Sequence, residues 1–180
     1  EKQYQDMLLD TKGKFKRGRE IKVGLVGEIY VVLEPFTNLN IEKKLGKLGV
    51  TVEREIYLTN WILNFLNLNK EAQKIEKAAK PYLESFVGGH GLDSIGNTVR
   101  YARQGFDGVI QVAPFTCMPE IVAQSILPEV SQKENIHILP LVFDEHSGEA
   151  GLITRLEAFV DLIIRQKQKF QGQIQIAEGL

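Results

Sequence analysis

Short apolar runs separated by helix-length segments are the feature that most constrains how this chain can fold. Residues 21–28, 107–113 and 136–143 are rich in β-branched and apolar side chains. Runs that are apolar on both faces are typical of central strands in a parallel sheet. Residues 50–57 are more polar and predict a second, more exposed strand. Strands that alternate with helices predict an α/β protein with a parallel sheet.

The connections between these strands predict the topology and the helices. Right-handed crossovers favour an open Rossmann-like sheet of about four strands in the order 2-1-3-4, with helices on both faces. Asn38 or Asn40 is expected to cap the first helix, and Asp93 or Ser94 the helix that ends at Gln104. Apolar spacing places that first helix at 41–48 and predicts further helices at 70–86, with a kink or restart at Pro81, at 119–134, with a kink at Pro128, and at 150–168.

The chain is expected to form one main domain with short appendages. Residues 1–20 predict a linker or short helix, 21–168 a single Rossmann-like domain, and 169–180 a polar tail. Residues 59–86 are expected to form a helical excursion that is longer than a crossover needs, so it could cover a ligand or bind a partner. The first residue, Glu1, is not a methionine, and we expect the sequence to be part of a longer protein.

Composition excludes several classes of function. The 180 residues are 43% hydrophobic and carry 22 basic and 23 acidic side chains, a net charge of -1. That balance predicts neither nucleic-acid binding nor attraction to an anionic membrane. Apolar stretches fall short of the roughly 20 residues that span a bilayer, and no signal-peptide pattern is present, so a cytoplasmic protein is expected. A single cysteine excludes an internal disulfide, although a metal could still be shared with another chain.

Ligands of open parallel sheets bind beyond the carboxyl ends of the strands, where the strand order reverses. For the predicted topology this edge lies between the first and third strands. The residues predicted there are Glu28, Tyr30, Gly89, His90, Thr116, Cys117, Asp144 and His146.

Cys117 is the first candidate for chemistry at this edge. Pro119 suits the first turn of a helix, which places Cys117 near a helix N-terminus, where unpaired N–H groups favour a thiolate. A thiolate there could bind a metal or act as a nucleophile. The spacing alone, however, favours a small buried apolar side chain.

The histidines and the glycine loop each have a structural and a functional interpretation. His90 or His146 could serve Cys117 as a base, although loop histidines are more often only solvated. His137 lies in an apolar strand and is expected to be structural. Residues 88–91 could cradle an anion, but they follow a helix and match no nucleotide-binding fingerprint, which favours a flexible turn.

Carboxylates are predicted at the ends of the first and fourth strands. Glu28, Asp144 and Glu145 could act as acid or base, or could cap loops, which is the commoner outcome. Arg155, near the start of the last helix, could pair with one of them, and such pairs are usually structural.

Several segments carry a more specific pattern. They are Asp107-Gly108-Val109-Ile110, Cys117-Met118-Pro119-Glu120, Pro140-Leu141, the loop 144–148, and Thr154-Arg155-Leu156-Glu157-Ala158-Phe159. This set resembles the C-terminal part of the 2-hydroxyacyl-CoA dehydratase and benzoyl-CoA reductase component family. The opening, Lys22-Val23-Gly24-Leu25-Val26-Gly27-Glu28-Ile29-Tyr30 and then Asn38-Leu39-Asn40-Ile41-Glu42, is most similar to long family members related to activators of CoA-substrate-specific enzymes. The resemblance covers roughly residues 22–167.

The resemblance implies a function that no spacing argument gives. Rossmann-like domains of this family supply cysteines to a [4Fe-4S] cluster, which passes electrons in ATP-dependent, radical-type dehydration or reduction of CoA thioesters. Cys117 matches a cluster-ligating cysteine, with Thr116 and Glu120 as its neighbours. The implied partners are other domains of the same protein, an ATPase activator domain and an acyl-CoA substrate. The resemblance assigns no role to Thr154 or Arg155.

The chain also departs from the family pattern. A cluster of this kind takes about three or four thiolates, and this chain has one cysteine. It has no nucleotide-binding pattern either, so we expect the isolated chain to bind no intact cluster and to have no turnover. Two other hypotheses stay open. The first is a non-catalytic domain that docks a partner through residues 59–86, with a structural Cys117. The second is a hydrolase that uses Cys117 with His90 or His146.

Overall fold

A computed structural model describes residues 20–54 and 70–178. It confirms the open four-stranded parallel sheet in the order β2-β1-β3-β4. The strands are β1 (Ile21–Gly27), β2 (Val50–Arg54), β3 (Gly108–Pro114) and β4 (His137–Phe143). The fold is therefore the predicted Rossmann-like α/β architecture.

Six helices lie in the described residues: α1 (Ile29–Leu33), α2 (Ile41–Lys47), α3 (Lys70–Ala79), α4 (Gly91–Arg103), α5 (Met118–Glu134) and α6 (Glu149–Glu178). For this strand order, the right-handed crossover rule predicts α1 and α2 on one face of the sheet and α4 and α5 on the other. The described residues up to His146 form one compact unit, and the described residues from Ser147 form a second that contains α6. In the described residues, no helix has the length and apolar character needed to cross a membrane.

Close packing between α4 and β1 depends on a glycine in the strand. Tyr101 of α4 is fully buried, and a Cβ at Gly24 would lie 2.3 Å from its ring. The Tyr101 hydroxyl donates to the carbonyl of Glu53 at 3.3 Å, and its ring centroid is 4.6 Å from that of Phe106. The Tyr101 ring therefore fills the space where a side chain at Gly24 would lie, and it links α4 to β1 and β2.

Apolar side chains from α3, α4 and α5 form a continuous cluster beside the sheet. Its buried members are Ala78, Ala79, Ile95, Val99, Ala123, Leu127 and Val130. Glu134 ties the rim of this cluster together, because its carboxylate accepts from Tyr82 at 3.0 Å and from Arg103 at 2.8 Å. The Arg103 guanidinium holds the pKa of Glu134 below its ordinary value.

The structure corrects the predicted helix at 70–86. Helix α3 ends at Ala79, whose carbonyl accepts from the N–H groups of Tyr82 and Leu83 at 2.8 and 2.9 Å in a turn. Pro81 thus stops the helix, since proline lacks an N–H group and clashes with the preceding turn. Residues 55–69, which hold the end of the predicted second strand and most of the first half of the excursion, lie outside the described residues.

One of the two predicted caps needs correction, and the other is confirmed. The helix after the glycine loop begins at Gly91, so neither Asp93 nor Ser94 is its N-cap. For the earlier helix, Asn40 occupies the N-cap without a side-chain bond, whereas the Asn38 amide oxygen accepts from Ile41 N at 3.2 Å. Helix α6 extends beyond its predicted end and runs to Glu178.

Candidate functional site

Strand β1 ends in a tight turn over β3 at the predicted ligand edge. Gly27 has a φ of 137°, and a Cβ there would lie 1.8 Å from the carbonyl oxygen of Val112. Glu28 N donates to that carbonyl at 3.0 Å. The Glu28 carboxylate then accepts from Val31 N at 3.0 Å and caps α1. The structure therefore gives Glu28 the capping role.

Strand β3 delivers Cys117 to the same edge. Phe115 N donates to the Phe143 carbonyl at 2.8 Å, and Thr116 adopts a left-handed conformation with a φ of 66°. Cys117 is the N-cap of α5, its N–H donates to Pro114 O at 3.2 Å, and its side chain is half-buried. The thiol makes no capping bond to the helix.

The glycine loop packs directly on the first turn of α5. A Cβ at Gly89 would lie 3.0 Å from Cγ of Pro119, and one at Gly91 only 2.4 Å from its carbonyl oxygen. Larger side chains at Gly91 would push α4 and α5 apart. Two motifs that are distant in the sequence, residues 88–91 and the turn around Cys117, are therefore neighbours.

Glu120 lies buried beneath these motifs, with 1% of its surface exposed. Ser94 Oγ is 2.9 and 3.0 Å from its two carboxylate oxygens. Gln111 Nε2 donates to Glu120 Oε2 at 2.8 Å and to the Glu120 backbone carbonyl at 3.0 Å. Burial raises the pKa of Glu120, although the hydrogen bonds from Gln111 and Ser94 oppose that shift.

His90 adds a second titratable group to this region. Its Nδ1 lies 3.1 Å from Oδ2 of Asp93, and that hydrogen bond raises the pKa of the His90 imidazole. The negative charges of Glu120 and Glu28 act in the same direction. Two of the predicted edge residues, Glu28 and His90, therefore share one electrostatic environment with Glu120.

The other predicted residues make local contacts or are exposed. Asp144 Oδ1 accepts from His146 N at 3.0 Å and so orders the loop after β4. The His146 ring is 86% exposed on its side chain and pairs with Glu145 at 3.6 Å. Tyr30 is exposed on α1. Thr154 donates to Ala150 O at 3.1 Å within α6, the helix that also carries Arg155.

Exposed apolar side chains flank the candidate thiol. Phe115 and Met118, on either side of the Thr116-Cys117 pair, are 66% and 67% exposed. Phe86, in the segment that leads into the glycine loop, is 76% exposed.

Sequence reasoning missed Ser94 and Gln111 as partners of Glu120. A signal for one of them was present, because Gln111 is the one strongly polar residue inside the apolar run 109–113. A buried amide needs a hydrogen-bond partner, so such a residue indicates a buried polar contact.

The described residues do not form a metal site by themselves. Within 20–54 and 70–178, no three or more His, Cys, Asp and Glu side chains are grouped so that they could hold a metal ion. Cys117 offers one thiolate, and a [4Fe-4S] cluster takes about four cysteines. The donor set of this chain is therefore incomplete for such a cluster.

Together, the fold and the carboxyl edge define a Rossmann-like α/β domain that presents a single thiol at the reversal of strand order. No protein-family model matches the sequence, and comparison with curated proteins gives no match.

Proposed function

We propose that this chain is an iron–sulfur-cluster-binding domain of an activase-linked 2-hydroxyacyl-CoA dehydratase or acyl-CoA reductase system. Cys117 is one ligand of a [4Fe-4S] cluster, and the other thiolates come from polypeptide outside these 180 residues. When bound, the cluster supplies electrons for chemistry on a CoA thioester. The proposal rests on the resemblance of the segments around Cys117, Asp144 and Thr154.

The observation that carries the proposal is the placement of the Cys117 thiol. It is half-buried, it follows β3 directly, and it makes no capping bond to α5. The carboxyl edge where β1 and β3 diverge is where open parallel sheets bind ligands. A thiol in that position can reach a group held between this edge and a second polypeptide.

The remaining parts of the system belong to partners. The chain has no nucleotide-binding pattern, so ATP hydrolysis falls to an ATPase activator domain, and the acyl-CoA substrate binds with other domains of the same protein. A free, half-buried thiol suits a reducing compartment, which favours the cytoplasm. Thr116 and Glu120 are neighbours of Cys117 in this proposal, and they do not bind the cluster themselves.

A non-catalytic docking domain is the second candidate function. The exposed side chains of Phe86, Phe115 and Met118 favour it, because exposed apolar groups near one edge are common at protein interfaces. In that case Cys117 is only a structural residue, and the full-length protein contains no iron that depends on this chain.

Iron and sulfide analysis of anaerobically prepared protein tests the proposal. The full-length protein should hold about four irons and four sulfides per cluster, whereas the isolated chain, reconstituted in parallel, should hold less than a stoichiometric amount. A full-length protein without iron after reconstitution would remove the cluster function. Stoichiometric iron in the isolated chain would show that it needs no outside ligands.

A further inference from the structure

Glu120 is an ionisable residue in the interior of this domain, where such side chains are uncommon. Its carboxyl group is almost completely buried in the first turn of α5. Burying such a group costs free energy unless hydrogen bonds compensate, and an apolar side chain would fill the same space without that cost. The two residues that compensate it, Ser94 of α4 and Gln111 of β3, are themselves buried.

These contacts tie three elements together at one point. Gln111 Nε2 donates to the carboxylate of Glu120 at 2.8 Å and to its backbone carbonyl at 3.0 Å. Strand β3 therefore makes two hydrogen bonds to this residue. Ser94 joins α4 to the same carboxylate at 2.9 Å. Hydrogen bonds are directional, so they fix the rotation of a helix more narrowly than apolar packing does.

The fixed turn is the one that Cys117 begins. Ile121 N donates to Cys117 O at 2.9 Å, so Glu120 lies within the turn closed by that bond. The glycine loop packs on Pro119 in the same turn. A rotation of this turn would move the thiol and the loop together.

We propose that Glu120 is a positioning residue: its hydrogen bonds to Ser94 and Gln111 fix the first turn of α5 and thereby the orientation and solvent access of the Cys117 thiol. Glu120 does not touch the bound group. The importance of this positioning for cluster binding rests on the proposed function, but the positioning itself can be measured without a cluster.

Thiol reactivity gives that measurement, because Cys117 is the only cysteine of the chain. The rate constant for its reaction with dithionitrobenzoate is measured on the folded, cluster-free chain at one fixed pH. Glu120→Ala should raise the rate about fivefold, since the first turn opens more often without its hydrogen bonds. Glu120→Gln should stay within about twofold of the parent, because the amide can still accept from Gln111 and donate to Ser94.

A matched variant separates positioning from general loss of stability. Val130 is buried near the C-terminal end of α5, far along the helix from Cys117, and Val130→Ala leaves a cavity there. This variant should be less stable, but the rate constant of the thiol reaction should not change. Ser94→Ala removes the Ser94 hydroxyl but leaves both hydrogen bonds from Gln111 to Glu120, so it should give a smaller rise than Glu120→Ala. It also keeps the test possible if Glu120→Ala does not fold.

Three results would overturn the inference. They are an unchanged rate in both Glu120→Ala and Ser94→Ala, an equal rise in Glu120→Gln and Glu120→Ala, or an equal rise in Val130→Ala. The first would mean that the contacts do not control the thiol, the second that charge matters and geometry does not, and the third that only stability matters. Failure of the iron analysis would leave this result intact, since the thiol assay contains no iron.

Discussion

Glu28, His90 and Glu120 at the carboxyl edge each have a defined hydrogen-bond partner, and burial shifts the titration of Glu120. Burial raises the pKa of its carboxyl group, so the folded chain keeps a proton on Glu120 at pH values where the unfolded chain has lost it. The folded state therefore binds more protons. Its free energy of unfolding falls as the pH rises from the ordinary carboxyl pKa, about 4.3, through the raised pKa of Glu120.

Glu120→Gln should remove this pH dependence. The amide cannot ionise, so the stability of the variant relative to the parent should increase as the pH rises from the ordinary carboxyl pKa, about 4.3, through the raised pKa of Glu120. Urea unfolding of both proteins across that range checks the sign. Parallel stability curves would mean that Glu120 does not titrate differently in the folded and unfolded chain.

The His90–Asp93 pair should also lower the stability of the fold as the pH rises, although the group that loses its proton here is a cationic imidazole. Hydrogen bonding to Asp93 raises the pKa of His90, so the pair stabilises the fold fully below the ordinary histidine pKa, about 6.5, and loses that effect as the pH rises through the raised value. Asp93→Asn should lower the pKa of His90, measured by NMR titration of the ring. Asp161→Asn in α6 is the control and should leave the His90 titration unchanged.

At the scale of elements, the strands were predictable from the sequence and several helix ends were not. Apolar β-branched runs locate the strands, and crossover handedness restricts their order, so the order 2-1-3-4 follows from general rules. The end of α3 depends on a turn around Pro81, and the start of α4 depends on how the glycine loop packs against Pro119. The second of these contacts is tertiary and leaves no local signal.

The candidate site also contains residues that the sequence predicts and contacts that it does not. Strand ends identify Glu28, Thr116 and Cys117 as edge residues, because the carboxyl ends of parallel strands share one edge. The partnership of Ser94 with Glu120 spans 26 residues and two helices, and helix spacing cannot reveal it. Ser94 was instead predicted as a cap, which is the commoner use of a serine beside a helix start.

Two glycines make a matched test of the packing between α4 and β1. Gly24→Ala would place a Cβ 2.3 Å from the buried Tyr101 ring and should cost about 1–3 kcal/mol of stability through overpacking. Gly46→Ala in α2 meets nothing within 4 Å and should add about 0.4–1 kcal/mol. Urea unfolding measures both, and a neutral Gly24→Ala would show that Tyr101 moves aside freely.

At the scale of the whole molecule, the chain presents a sheet edge with one thiol. The sheet order, the turn at Gly27 and the first turn of α5 bring Glu28, His90, Cys117 and Glu120 to one end of the domain. A [4Fe-4S] cluster needs thiolates that these 180 residues do not contain. The proposed cluster therefore lies between this edge and other polypeptide.

Replacement of Cys117 by serine in the full-length protein tests the central claim most directly. Iron, sulfide and the EPR signal of the reduced cluster are measured after anaerobic purification of the parent, of Cys117→Ser and of Met118→Leu, an exposed neighbour that serves as the control. We predict that Cys117→Ser loses most of its iron or changes the EPR signal, while Met118→Leu matches the parent. Parent-like iron content and an unchanged EPR signal in Cys117→Ser would contradict the assignment of Cys117 as a cluster ligand.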